Sequence, residues 1–191
     1  LLSNLYGEAE IIDGLVFRMN FAPDLTQNKK GDFRGRYTNV RFLADPAASS
    51  SEDFTLAYTW ENILSYRRRI GKKHSIDFTG LYSLQTRQFE RSNINVAGLP
   101  VEALEYYNLG AASVISSVGS QYEKWGIVSY MGRINYAFDN RFLLTLTGRS
   151  DGSSKFAEGK KWGYFPSAAL AWNASNEPFM QGSKVFTNLK L

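Results

Sequence analysis

The sequence predicts an all-β chain of antiparallel strands forming a sector of a large transmembrane β-barrel. Three observations carry this. Apolar residues recur at every second position along several segments, which gives each segment one apolar and one polar face. The segments have the ~9–11 residues of a tilted transmembrane strand, not the roughly five or six of an ordinary soluble strand. The stretches between them alternate short and long, as the periplasmic turns and extracellular loops of outer-membrane barrels do.

In chain order, the first clear segment is Leu15–Phe21, with Leu15, Phe17, Met19 and Phe21 on one face and Arg18 and Asn20 between them; Asp13-Gly14 before it signals a tight turn. Residues 22–53 are polar, with Pro23, Gly31, Gly35 and Pro46, and read as a long loop. Phe54–Arg67 places Phe54, Leu56, Tyr58, Trp60, Leu64 and Tyr66 opposite Thr55, Thr59, Glu61, Ser65 and Arg67, with a break in alternation at Asn62-Ile63. After a turn at Gly71-Lys72-Lys73, Ser75–Gln85 sets Ile76, Phe78, Tyr82 and Leu84 against Ser75, Asp77, Thr79 and Ser83, Leu81 excepted. Residues 91–120 read as loop. Tyr122–Phe138 resumes the pattern and leads through Asp139-Asn140 into Arg141–Ser150, where Phe142, Leu144 and Leu146 alternate with Thr145, Thr147 and Arg149. Residues 151–164 form a third loop, and Phe165–Ala174 is the last strand. The pattern thus requires at least six strands.

On the barrel rule, residues 22–53, 91–120 and 151–164 face outside, and Arg67–Lys73, Asp139-Asn140 and Asn173–Lys184 face the periplasm, the last with a helical turn around Glu177–Met180. Leu1–Asn4 has no basic start or apolar run of a leader, and Asn188–Leu191 stops inside an alternating pattern. Both ends therefore read as cut, and the chain as a fragment of one barrel domain without a plug.

The polar face should meet water. A strand in hydrocarbon must pair every backbone group, which a closed barrel does, and a mid-bilayer Arg or Lys on the lipid face costs about 2–4 kcal/mol. Arg18, Glu61, Asp77, Arg133 and Arg149 all fall on the polar register, and are candidates to line a lumen.

Composition removes several functions. The 191 residues include one histidine and no cysteine, which excludes thiol chemistry, disulfides and Cys–Zn sites. Mean hydropathy is low, and no run approaches the ~18–20 apolar residues of a membrane helix; a barrel is compatible with this, because only alternate residues face lipid. Aromatics reach 15%, more than a modest core needs, and suit interfacial girdles. The net charge of +4 and the run Arg67-Arg68-Arg69 with Lys72-Lys73 lack a nucleic-acid-binding motif and read as a solvated strand end and turn.

Other candidate sites have plainer readings. Asp151, Ser153, Ser154 and Lys155 lack the second glycine and GK[ST] of a phosphate loop, and turn the chain where a strand leaves the membrane. His74 has no second histidine and reads as a solvated turn residue. Glu61 and Asp77 suit lumen lining, or pairing with Arg133 and Arg149, better than a glycosidase pair. Trp60, Tyr66, Tyr82, Trp125, Tyr130, Tyr136, Phe138, Phe142 and Trp172 mostly lie on the apolar register and suit a lipid-facing girdle. Phe89, Tyr106 and Tyr107 are read as loop aromatics that could contact substrate. No catalytic, cofactor or metal site emerges.

Arg149-Ser150-Asp151-Gly152-Ser153-Ser154-Lys155-Phe156, after Phe142-Leu143-Leu144-Thr145, resembles the R.DGSSRF signature of SusC/RagA-type TonB-dependent outer-membrane receptors. Trp162-Gly163-Tyr164-Phe165-Pro166-Ser167, Leu170-Ala171-Trp172 and Glu177-Pro178-Phe179-Met180 continue that family's run in order. Ser129–Tyr136 and Tyr58–Asn62 are similar to other barrel segments of it. The sequence departs in having Ser150 where a second basic or polar residue is frequent and Lys155 for the usual Arg. The resemblance implies an outer-membrane barrel of about 22 strands with an N-terminal plug. It implies active import of oligosaccharides, sometimes peptides, driven by the TonB complex, often with a surface lipoprotein of the SusD type as partner. The competing readings are a soluble β-rich carbohydrate-binding or surface-adhesion module, which would pack its aromatics between two sheets, and a barrel enzyme, for which no Ser/His/Asp arrangement is present.

Overall fold

The computed structural model describes residues 1–180 and 189–191. Seven strands form one sheet in chain order: β1 Leu5–Ile12, β2 Leu15–Arg34, β3 Ala47–Ile70, β4 His74–Ala97, β5 Val114–Phe138, β6 Phe142–Ser153 and β7 Trp162–Trp172. The described residues contain no α-helix, only short 3-10 turns at Glu102–Leu104, Leu109–Ala111, Ala174–Asn176 and Pro178–Met180. The last falls where the sequence suggested a helical turn, around Glu177–Met180, and Ala174–Asn176 precedes it. The Asn173–Lys184 connection and the Asn188–Leu191 pattern lie partly outside the described residues. Leu189–Leu191 pair with the end of β7 through Trp172 N–H to Leu191 O (2.8 Å) and Leu191 N–H to Trp172 O (2.9 Å).

Several expected boundaries are corrected. β1 is an additional strand; its small Gly7 and Ala9 gave its alternation too little contrast to be seen. The segments 22–53, 91–120 and 151–164 are not loops throughout. β2 continues to Arg34, β3 starts at Ala47, β4 runs to Ala97, β5 starts at Val114, and β6 and β7 extend to Ser153 and back to Trp162. The physical reason is that a ladder of backbone hydrogen bonds needs no apolar side chains. Polar strand extensions therefore carry the composition of loops. β3 also passes unbroken through Asn62-Ile63.

The connections left are short at Asp13-Gly14, between Ile70 and His74 and between Phe138 and Phe142, and longer at 35–46, 98–113 and 154–161. Asp139 and Asn140 both have positive φ, 53° and 55°, the mirror-image turn whose twist matches a two-strand ribbon. Gly14 has φ 76°, and its carbonyl accepts the Arg67 N–H at 2.8 Å; a Cβ there would sit 2.3 Å from the Arg67 carbonyl oxygen. Only glycine lets β3 approach that turn.

The chain divides into two units, each continuous with parts of β2–β5. The first comprises Leu1–Ser3, Pro23–Ala57 and Arg87–Lys124. Within it Ala48, Val96 and Leu99 form a small buried cluster, packed by Phe33, Ile94, Tyr106, Leu109 and Ala112. The second comprises Asn4–Ala22, Tyr58–Thr86 and Trp125–Leu191, and among the described residues no apolar layer covers its strands. Leu170, near the end of β7, is 81% exposed.

Candidate functional site

Register decides which side chains share a face, because residues directly opposite in an antiparallel pair project to the same side. In β5, β6 and β7, one face carries the rows Phe138–Phe142–Trp172, Tyr136–Leu144–Leu170, Ile134–Leu146–Ala168, Gly132–Gly148–Pro166, Tyr130–Ser150–Tyr164 and Val128–Gly152–Trp162. No charged residue occurs in these rows. Aromatics gather at their two ends: Tyr82, Tyr130 and Trp162 follow one another at ring separations of 5.4 and 6.1 Å. Phe138, Phe142 and Trp172 form the other end. From Val128 to Phe138 the strand rises about 33 Å at ~3.3 Å per residue. A tilt of roughly 40° makes that about 25 Å along a bilayer normal, the height of the apolar band of outer-membrane barrels.

The alternate face carries Asn135–Thr145–Ala169, Arg133–Thr147–Ser167, Met131–Arg149–Phe165 and Ser129–Asp151–Gly163. Arg133 Nε donates to Thr147 Oγ1 at 3.1 Å, and Thr145 Oγ1 donates to Asn135 Oδ1 at 2.8 Å. Arg149 Nε reaches both Asp151 oxygens at 2.9 Å, and Nη2 lies 3.4 Å from Ser129 Oγ. On β1–β3 the same polarity recurs. Arg18 bonds Asn20 Oδ1 (3.1 Å) and lies 3.9 Å from Glu8, while Asn20 Nδ2 donates to Glu61 at 3.2 Å. Asp77 pairs with Arg67 at 2.9 Å.

Arg18, Glu61, Asp77, Arg133 and Arg149 are thus all tied into polar-face networks, but not as partners of one another. Glu61 and Asp77 do not pair with Arg133 and Arg149; their partners come from Asn20 and Arg67, and Arg149 is satisfied two residues along its own strand, on the same face. The arrangement is a set of exposed and half-buried polar networks. Each exposed pair is worth about 0.2–1 kcal/mol.

The signature segment is split. Asp151, Gly152 and Ser153 belong to β6, and only Ser154, Lys155 and Phe156 lie in the connection. Ser154 binds back to Gly126 through two hydrogen bonds, of 2.8 and 2.9 Å, one from each direction. Lys155 Nζ lies 4.8 Å from the centre of the Trp125 ring. These contacts fix the strand exit. Trp125 thereby engages a cation instead of joining the aromatic rows of the apolar face. His74 opens β4 and is held more firmly than a solvated turn residue: its Nδ1 is 2.7 Å from the Tyr136 hydroxyl, and its ring is 5.2 Å from that of Phe138.

The three aromatics expected in loops separate. Phe89 is within β4, and both Arg87 and Arg91 place guanidinium carbons 5.4 Å from its ring centre. Tyr106 packs on the buried cluster of the 98–113 connection. Its ring stacks on Tyr107 at 4.4 Å, and its hydroxyl donates to that of Tyr107 at 3.0 Å, which raises the Tyr106 pKa. Tyr107 alone of the pair is open, at 77% exposure.

One cluster escaped the sequence reading. Glu177, 5% exposed, accepts from Trp172 Nε1 at 3.0 Å and from Arg141 Nε at 2.8 Å, with a second bond from Arg141 Nη2. The Trp172 hydrogen bond, then those from Arg141, hold its carboxyl below the usual range. Asn173 and Asn176 both donate to the Asn140 carbonyl at 2.8 Å. The start of β6, the end of β7 and the Glu177-Pro178 turn are thereby locked together. Arg141 and Glu177 are 36 positions apart, so no local pattern signals them. Among the described residues there is no cluster of His, Cys, Asp and Glu able to hold a metal.

No family model matches the sequence. Over its whole length the chain is 32% identical to TonB-dependent receptor P26 of Formosa agariphila, covering 20% of that protein. It is 31% identical to TonB-dependent receptor P3 of the same organism, over 98% of this chain and 19% of that one. Over 65 residues, 34% of the chain, it is 49% identical to the TonB-dependent receptor SusC of Bacteroides thetaiotaomicron. The resemblance to SusC/RagA-type TonB-dependent receptors is thereby established. In three dimensions the chain superposes on the RagAB peptide transporter with a TM-score of 0.89 at 18% identity, covering 98% of this chain and 21% of that one, which is a likeness of fold. The chain spans about a fifth of the curated relatives that it matches over its full length. The seven strands are an antiparallel sheet matching part of the RagA barrel.

Proposed function

We propose that this SusC/RagA-type chain is a sector of the barrel wall of an outer-membrane importer. Its apolar face meets lipid, and its polar face, with Arg18, Glu61, Asp77, Arg133 and Arg149, lines the lumen. The parent protein takes up oligosaccharides or peptides, is energised by the TonB complex through parts outside these residues, and works with a surface lipoprotein of the SusD type. Ser154–Phe156 shape the strand exit, and Tyr107 and Phe89 are the aromatics placed to meet substrate. The observation that carries the reading is the division of β5–β7 into a charge-free face edged by aromatics and an alternate face that carries all the charges and the side-chain hydrogen bonds of these rows. A soluble module would have to cover the first of these with a second layer.

The test is fractionation and uptake with the full-length parent. It should co-sediment with outer membranes, require detergent for extraction, and support uptake of its nutrient only in cells with a working TonB system. Recovery as a soluble monomer, or uptake unaffected by loss of TonB, would overturn the proposal.

A further inference from the structure

At its short-turn end the apolar face gives way to a run of cations that the barrel reading leaves without a role. Arg67-Arg68-Arg69 lies at the end of β3, and Lys72-Lys73 stands in the turn before β4. Arg67 and Asp77 pair across this hairpin at 2.9 Å on the polar face. Side chains alternate along a strand. Arg68 therefore projects to the apolar face with Leu64 and Tyr66, and Arg69 returns to the polar one. In β4, His74 shares the apolar register with Ile76 and Phe78. Its ring is 5.2 Å from that of Phe138 and its Nδ1 is 2.7 Å from the Tyr136 hydroxyl. Both partners belong to the apolar rows.

Arg68 is thus a cation on the lipid-facing register. Such a position is tolerated at the membrane interface, where the headgroups begin. The aromatic row Phe138–Phe142–Trp172 marks that level by ending the apolar band. Arg68 Nη1 donates to the Tyr66 hydroxyl at 3.1 Å, which holds the guanidinium near the face. The nearby carboxylates do not neutralise this end. Asp77 is taken by Arg67, Glu177 by Arg141, and Glu10 accepts the Gly14 N–H at 3.1 Å. Asp13, in the β1–β2 turn, is the carboxylate whose charge reaches Arg68, without an ion pair between them. Asp139 donates its N–H to the Lys73 carbonyl at 2.6 Å. Against Asp13 and Asp139 stand Arg68, Arg69, Lys72 and Lys73, so the positive charge is in excess.

We infer that Arg68, with Tyr66 beside it and the His74–Tyr136 pair on the neighbouring strands, seats the phosphate of an anionic glycerophospholipid whose acyl chains lie along the apolar rows. A guanidinium offers a phosphate two parallel N–H bonds. The excess of positive charge favours an anionic headgroup over a zwitterionic one. The inference rests on the proposal that the apolar face meets lipid. With the short turns on the periplasmic side, the lipid belongs to the inner leaflet of the outer membrane.

Native mass spectrometry of the purified full-length receptor in detergent tests this, with phosphatidylglycerol and phosphatidylcholine of identical chains added in turn. The receptor should retain more phosphatidylglycerol than phosphatidylcholine. Arg68→Gln should lower the occupancy of one phosphatidylglycerol adduct about fivefold, the scale of one cation near an anionic lipid surface. Arg68→Lys should lower it less, and Arg69→Gln, on the opposite face, should leave it unchanged. Glycerol phosphate, which carries the same anion without chains, should not displace the lipid. Equal retention of the two lipids, equal losses in Arg68→Gln and Arg69→Gln, or displacement by glycerol phosphate would each overturn the inference. Failure of the transport proposal would appear separately, as absence of the parent from outer membranes.

Discussion

The two units of the molecule use the same strands under opposite rules. In the second unit (Asn4–Ala22, Tyr58–Thr86 and Trp125–Leu191), no large apolar side chain among the described residues is fully buried, and a sheet face of Leu, Ile, Tyr, Phe and Trp stands open or half-open. In the first (Leu1–Ser3, Pro23–Ala57 and Arg87–Lys124), apolar residues do close a small core, Ala48–Val96–Leu99, beneath the 98–113 connection. Ion pairs such as Lys29–Glu52 (3.1 Å) and Arg91–Asp53 (2.7 Å) decorate its strands. The difference is one of packing, since both units pair their charges. On the proposed reading, the open charge-free face meets hydrocarbon and the unit with its own miniature core meets water.

The comparison breaks most readily if the open face is charged. Leu146→Arg, in the middle of the apolar rows of β6, should cost about 2–4 kcal/mol when the parent folds into bilayers. Thr147→Arg, one residue away on the polar face, should cost far less. Urea unfolding of the two variants in lipid vesicles checks this, and equal losses would remove the distinction between the faces.

In the first unit the sensitive position is backbone. Gly98 has φ 74°, and a Cβ there would meet Ser113 Oγ at 2.0 Å. Gly98→Ala should cost at least the ~1–2 kcal/mol of left-handed strain, and should open the 98–113 connection to protease while leaving the apolar rows of β5–β7 unchanged. Retained protease resistance would show that the small core tolerates the clash.

A smaller effect comes with pH at the Arg141–Glu177–Trp172 lock. Because the folded pKa of Glu177 is lowered, its stabilisation is complete above the ordinary carboxylate range and is lost as pH falls through the lowered value. Unfolding midpoints taken from neutral pH downward should fall in acid for the parent and fall less for Glu177→Gln. Parallel curves would show that the lock is not electrostatic. The smallest effect should be Lys155→Met, which removes the cation over Trp125 and should cost roughly 0.5–1 kcal/mol, measured by the same unfolding.

Much of this was legible in the chain. The period of two in Phe142–Arg149 and Val128–Phe138 fixed both faces of β5 and β6, and the order of motifs from Arg149 to Met180 pointed to the family. What stayed hidden has physical causes. Polar strand extensions such as Pro23–Arg34 and Val114–Gln121 carry loop composition, because backbone hydrogen bonds hold them. β1 was masked by small Gly7 and Ala9. The pairs Arg141–Glu177 and Arg91–Asp53 join residues distant in sequence, so they emerge only when strands are in register. Phe89 looked like a loop aromatic because β4 outlasts its apolar alternation.

The central claim is that β6 separates lipid from water residue by residue. The chain contains no cysteine, so single cysteines placed along Leu143–Asp151 in a cysteine-free parent can be read individually in reconstituted membranes. Positions 144, 146 and 150 should be quenched by lipid-borne quenchers and resist a membrane-impermeant maleimide, while 145, 147, 149 and 151 should do the reverse. Equal labelling of both sets, or lipid contact at Thr147 and Arg149, would contradict the account.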